Sequence, residues 1–161
     1  MTGDEAVARA RELFLTDTQR YGCAETTFLV LKEAYGLPDV ADPSPAMALN
    51  GGVAYRGGLC GAIGGAALAV GMLAARRVAS HAAAKRAARK VVAATMDAFE
   101  VEFGALDCRS LIGRDLRTLA EHRAFIESGV WRTTCMRQIE FVVGRLATLP
   151  ETMPARGAAE T

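Results

Sequence analysis

Histidine is almost absent from this sequence of 161 residues, which has only His81 and His122. A histidine-rich zinc or haem site is thereby excluded, and no C-x-x-C-H offers covalent haem attachment. None of the four cysteines forms C-x-x-C with another, so neither a thioredoxin-type motif nor a zinc ribbon is indicated. Charge of one sign is lacking too. The formal net charge of +1 gives no bulk attraction to nucleic acid or to a membrane surface, and no nucleic-acid partner is expected. No alternating apolar pattern is long enough to require a sheet, and no internal repeat is visible. A long run of large apolar residues is missing as well. Leu59 to Ala75 is uncharged and flanked by Arg56 and Arg76-Arg77, but it is short for a membrane span and about a third of it is glycine or cysteine. It reads as a buried helix, not a stable span. The acidic, amphipathic start, Met1 to Ala6, has no basic region leading into an apolar one, so a cytoplasmic chain is expected.

What is present is enough apolar residue, 51%, to bury the core of one domain. The pattern predicts an all-α fold: a single-domain bundle of about five or six helices around a glycine/alanine-rich central helix. The helical domain should span 1–149, with 150–161 as a flexible tail. Ala6, Ala10, Leu13, Phe14 and Asp17 recur at helical spacing in an amphipathic helix over Glu5–Thr18. A second helix runs over Cys23–Tyr35 and ends at Gly36-Leu37-Pro38. Asp39–Pro45 is a loop, and Ser44-Pro45 opens a short helix through Leu49. Glycine-rich residues 50–58 lead to Cys60, which stands at a helix start. Gly61 and Gly65, one turn apart, let a backbone or ligand come close. The longest helix spans Val78–Phe103, basic first and acidic later, against the preference of the helix dipole. Its charged face is a solvated surface or a docking patch. Gly104 ends it, Cys108 follows in a turn, a short helix covers Asp115–Glu121, and a last helix runs over Thr133–Leu149.

The four cysteines, Cys23, Cys60, Cys108 and Cys135, stand on four separate segments and can meet only through the fold. Cys23, Cys60 and Cys135 each fall in the first turn of a helix. Free N–H groups and a partial positive charge there favour the thiolate, the form that ligates metal or attacks a disulfide. Without a visible export signal, thiols kept reduced or held on a metal are expected before a disulfide scaffold. Tyr21, Tyr55 and Trp131 neighbour three of the cysteines in sequence, as walls of a site or as ordinary core. His122 lies in a charged stretch and should face solvent.

These residues carry a resemblance. Cys60-Gly61-Ala62-Ile63-Gly64-Gly65 is a complete CGAxxG motif, preceded by Gly51-Gly52 and Gly57-Gly58 and by Cys23 within Gly22-Cys23-Ala24-Glu25. Cys108 and Cys135 follow in order. The chain resembles the C_GCAxxG_C_C family of small bacterial and archaeal proteins described as redox-active, over roughly residues 5–149. It departs from the pattern around Val130–Cys135. The resemblance implies redox activity and supplies no substrate or redox partner.

Three functions fit. In the leading one, Cys23, Cys60, Cys108 and Cys135 are metal ligands that hold a [2Fe–2S] or [4Fe–4S] iron–sulfur cluster for electron transfer, with Gly61 and Gly65 making room for it. In the second, Cys60 and Cys23 are catalytic, as nucleophiles or as partners in a disulfide, and Arg56 and Glu25 are the nearest charged helpers. In the third, the protein is a non-catalytic helical module whose cysteines pack or bind zinc. The Gly/Ala face of residues 61–75 could also pair two copies into a homodimer.

Overall fold

A computed structural model describes residues 1–15 and 20–153. Among the described residues the fold is all-α: eight α-helices and two short 3-10 segments, with a lone antiparallel bridge between Leu59 and Asp107. Helix α1 (Gly3–Phe14) opens on a reciprocal cap in which the Glu5 N–H donates to Thr2 Oγ1 and the Thr2 N–H to the Glu5 carboxylate. Ala6, Ala10 and Phe14 form its buried stripe. The expected extension of this helix to Thr18, and Asp17 with it, lies outside the described residues.

Helix α2 (Cys23–Ala34) is the one buried on every side, from Ala24 through Lys32 without interruption. Glu25, Thr26, Thr27 and Lys32 disguise the burial of α2 in the sequence; Glu25 and Lys32 find internal partners, whereas the Thr26 and Thr27 hydroxyls have none among the described residues. Lys32 illustrates the solution: its ammonium donates to the Asp39 and Asp42 carbonyls and lies over the Phe28 ring. A 3-10 segment (Ser44–Leu49) follows.

Helix α3 (Gly61–Arg77) lies against α2 on one side and α4 (His81–Phe103) on the other. Its small-residue stripe is used within the chain. An alanine Cβ at Gly65 would stand 2.2 Å from the Ala24 carbonyl oxygen, so the two helices touch backbone to backbone there. Helix α4 is capped by Ser80 and ended by a left-handed Gly104, and Phe99 and Phe103 stack with Phe141 of α7 (Thr134–Leu146). No described helix is long and apolar enough to cross a membrane.

Two expectations between Gly104 and Thr133 are corrected. Cys108 does not sit in a turn but begins α5 (Cys108–Ile112), capped by Asp107. The helix expected over Asp115–Glu121 instead begins at Thr118 and forms α6 (Leu119–Ser128). The Asp115 carboxylate binds the Arg117 backbone N–H and side chain as well as Arg109, which holds this stretch in a turn. A 3-10 turn (Val130–Arg132) leads into α7. Beyond it, the part of the expected tail that is described is ordered. Leu149–Thr152 form α8, Met153 is buried, and Arg77 donates to the Pro150 and Met153 carbonyls. Residues 154–161 lie outside the described residues.

Candidate functional site

All four cysteines occupy helix starts: Cys23 is the first residue of α2, Cys60 caps α3, Cys108 opens α5 and Cys135 lies in the first turn of α7. The fold then brings them together. Cys23, Cys108 and Cys135 line one partly open cavity of about 190 Å³, while Cys60 sits behind it, 3% exposed, with its thiol donating to Gln138 Oε1 at 3.6 Å. A charge on Cys23 is felt by Cys60, Cys108 and Cys135, and Cys135 also feels Cys60 and Cys108. The four sulfurs share one electrostatic neighbourhood.

The helix starts do not leave these groups as ready thiolates, as their positions suggested. Burial pushes all four thiols up, Cys108 to about 12, because a charged sulfur loses water that one helix turn cannot replace. Cys23 has the strongest compensation, from the backbone N–H groups of Gly51, Ala24 and Gly61 together with its own. It is also the one cysteine of the four that is not fully buried. Gly61 is glycine for this reason: a Cβ there would stand 2.4 Å from Cys23 Sγ.

The glycine-rich loop ties the cysteines to one another. Cys108 N–H donates to the Gly58 carbonyl at 2.7 Å, Arg109 N–H to Gly57, and Cys60 N–H to Leu106. To reach these positions the chain makes a left-handed turn, with positive φ at Gly51, Gly52, Val53, Ala54 and Tyr55 in succession. For the three non-glycine residues this costs about 1–2 kcal/mol each, and such strain persists only where the surroundings enforce it.

Asn50 is the organising residue that the sequence reading passed over. Its Oδ1 accepts from Ala24 N–H at 3.0 Å, and its Nδ2 donates to the Glu25 carboxylate at 2.8 Å and to the Met47 carbonyl. It thereby fixes the start of α2, and Cys23 with it. Its signal in the sequence was its place before Gly51-Gly52, where it read as part of a turn. Asn50→Ala should destabilise the fold by about 2 kcal/mol or more, since it strands a buried N–H and a buried carboxylate. Urea denaturation checks this, and an unchanged midpoint would contradict it.

Tyr21, Tyr55 and Trp131 all line the cavity, joined by Phe14, Phe125 and Leu116. His122 differs from its expected solvent-facing state. It lies half-buried at the cavity, edge-on to the Tyr55 ring at 4.7 Å. Glu25 lines the cavity too, whereas Arg56 is exposed and does not; Arg20 takes that place.

The donor set suits soft metals, being four thiols with N–H groups directed at one of them. Among the described residues, however, no three His, Cys, Asp or Glu side chains are gathered closely enough to hold one metal ion. A single tetrahedral zinc would draw its sulfurs to about 3.8 Å from one another. A polynuclear cluster carries its thiolates on separate irons and spreads them wider.

Comparison of the chain with curated proteins and with solved structures gives no match. A family model described as "Putative redox-active protein (C_GCAxxG_C_C)" matches residues 21–149. That stretch contains all four cysteines and most of the chain, and the protein belongs to the C_GCAxxG_C_C family.

Proposed function

We propose that the protein performs thiol–disulfide redox chemistry at this cavity, with Cys23 as the attacking sulfur. The observation that carries the reading is that Cys23 is the one cysteine residue of the four that is only partly buried and the one with four backbone N–H groups directed at its sulfur, with Cys108 and Cys135 lining the same cavity. The Cys23 thiolate attacks one sulfur of a disulfide, the S–S bond breaks, and the departing sulfur leaves with the electron pair and takes up a proton. Cys108 or Cys135 then attacks the mixed disulfide and releases the second thiol. Two protein thiols are oxidised, and one disulfide is reduced to two thiols. The N–H groups of Gly51, Ala24 and Gly61 stabilise the Cys23 thiolate before it attacks, and the aromatic walls restrict water.

Mass spectrometry after brief alkylation of the reduced protein tests this. Cys23 should label first and Cys60 last, and Cys23→Ser should lose at least 100-fold in the rate of exchange with a small disulfide. Earlier labelling of Cys60, or exchange by the serine variant at the wild-type rate, would overturn the assignment.

A second reading has its own support. All four sulfurs share one electrostatic neighbourhood, and four thiolates are the usual ligand set of an iron–sulfur cluster, which Cys23, Cys60, Cys108 and Cys135 would hold together. When bound, a cluster would supply one-electron transfer. In this reading Gly51 and Gly61 direct N–H groups at a ligand sulfur, and Gln138 orients Cys60. Iron and acid-labile sulfide analysis after anaerobic purification separates the two, since a cluster would colour the protein, shield Cys23 from alkylation and be lost in Cys60→Ser.

A further inference from the structure

Glu25 presents an unused oxygen to the cavity. The carboxylate is 8% exposed, and its Oε2 accepts both the Gly22 N–H and Asn50 Nδ2, each at 2.8 Å. Those two bonds complete the cap of α2 and explain why an acid stands at its third position. They leave Oε1, which accepts no hydrogen bond among the described residues. An oxygen left free on a cavity wall accepts a hydrogen bond from a donor that enters the cavity. Among the described residues no cation fills the role: Arg20 also lines the cavity, but its guanidinium lies over the Tyr21 ring at 5.1 Å and forms no ion pair with Glu25.

The remaining walls suit the same kind of guest. Tyr21, Tyr55, Phe125 and Trp131 line the same cavity, and Arg20 over the Tyr21 ring and Arg132 over the Trp131 ring illustrate the attraction of such faces for cations. Size sets an upper bound. A dry cavity of about 150 Å³ takes a benzene, so a volume of about 190 Å³ admits a small molecule rather than a peptide loop. We infer that the cavity selects a small disulfide or thiol carrying a protonated amine, with the ammonium received by Glu25 Oε1 between the aromatic walls and its sulfur facing Cys23. The inference rests on the thiol–disulfide reading and names the reactant class for that site.

Three small symmetrical disulfides of similar size test it: cystamine, with two ammonium groups; bis(2-hydroxyethyl) disulfide, neutral; and dithiodiglycolate, with two carboxylates. The measurement is the rate of mixed-disulfide formation on the reduced, full-length protein, followed by acid quench and mass spectrometry. Each rate is divided by the rate of the same disulfide with free β-mercaptoethanol, which removes intrinsic reactivity. Cystamine should then exceed the neutral compound by at least tenfold, with the anionic one slowest, and the advantage should shrink as salt is raised. In Glu25→Gln the cystamine-to-neutral ratio should fall to within about twofold of one. Tyr21→Leu leaves the Gly22–Glu25–Asn50 frame intact and should lower the ratio about threefold, which keeps the test available if the glutamine variant does not fold. A wild-type ratio near one, or a ratio that survives Glu25→Gln, overturns the inference while exchange at Cys23 still stands. Should none of the three disulfides react at Cys23, the thiol reading falls and the inference with it.

Discussion

Gly65→Ala will destabilise the protein by about 3 kcal/mol or more, although alanine is the better helix former by about 1 kcal/mol. The new methyl would stand 2.2 Å from the Ala24 carbonyl oxygen, 3.0 Å from its carbon and 3.2 Å from its Cα. All three are backbone atoms of the most deeply buried helix, and none can swing aside as a side-chain tip could. Either α2 and α3 separate, opening space along their whole contact, or the start of α2 shifts and carries Cys23 with it. Gly71 supplies the control on the same helix, because nothing lies within 4 Å of its added Cβ. Gly71→Ala should therefore raise stability by about 0.5–1 kcal/mol. Thermal and urea denaturation of the two variants should move in opposite directions. Equal effects of one sign would mean that helix propensity, not close packing, governs these glycines.

Raising the pH should unfold the reduced protein well before ordinary base denaturation. Burial lifts all four thiols, Cys108 to about 12, and raises the Tyr35 phenol as well. The unfolded chain therefore releases protons at lower pH than the folded one, and stability falls between the two sets of values. The full contribution is present below the unfolded thiol value of about 8.5 and declines through pH 9–12. Each unit of difference is worth about 1.4 kcal/mol. Cys108 alone, lifted from about 8.5 to about 12, puts about 5 kcal/mol at stake, which is comparable to the whole stability of a small domain. Urea midpoints at pH 7, 9 and 10.5 under reducing conditions measure the decline. A double variant, Cys108→Ser with Cys135→Ser, should flatten it, since a serine hydroxyl does not titrate in that range. An identical midpoint at pH 7 and 10.5 would contradict the burial of these sulfurs.

Much of this was legible in the sequence. Apolar spacing along Ala6, Ala10 and Phe14, and along Met136, Ile139, Val142 and Val143, marked helices that bury those residues. Gly61 and Gly65 signalled a close approach, and the structure supplies its object: Cys23 Sγ at one and the Ala24 carbonyl at the other. Other features depended on the tertiary fold. The burial of α2 was hidden because Lys32 and Glu25 are satisfied by loop carbonyls and by Asn50, partners distant enough that no local pattern announces them. The start of α6 was legible after all. Thr118-Leu119-Ala120-Glu121 is a capping-box sequence, and Thr118 and Glu121 exchange hydrogen bonds as that signature requires. For His122, the charged neighbours pointed outward correctly, while the ring itself turns onto Tyr55 from across the cavity.

The run of positive φ from Gly51 to Tyr55 also bears on when the cysteine cavity can form. Val53, Ala54 and Tyr55 hold a backbone shape that an unfolded or half-folded chain avoids, so the N–H of Gly51 cannot greet the Cys23 sulfur in advance of the rest. Assembly of the thiol centre is thereby made conditional on a finished interior. An incompletely folded chain carries the same four cysteines without the backbone N–H groups that the native arrangement turns toward Cys23.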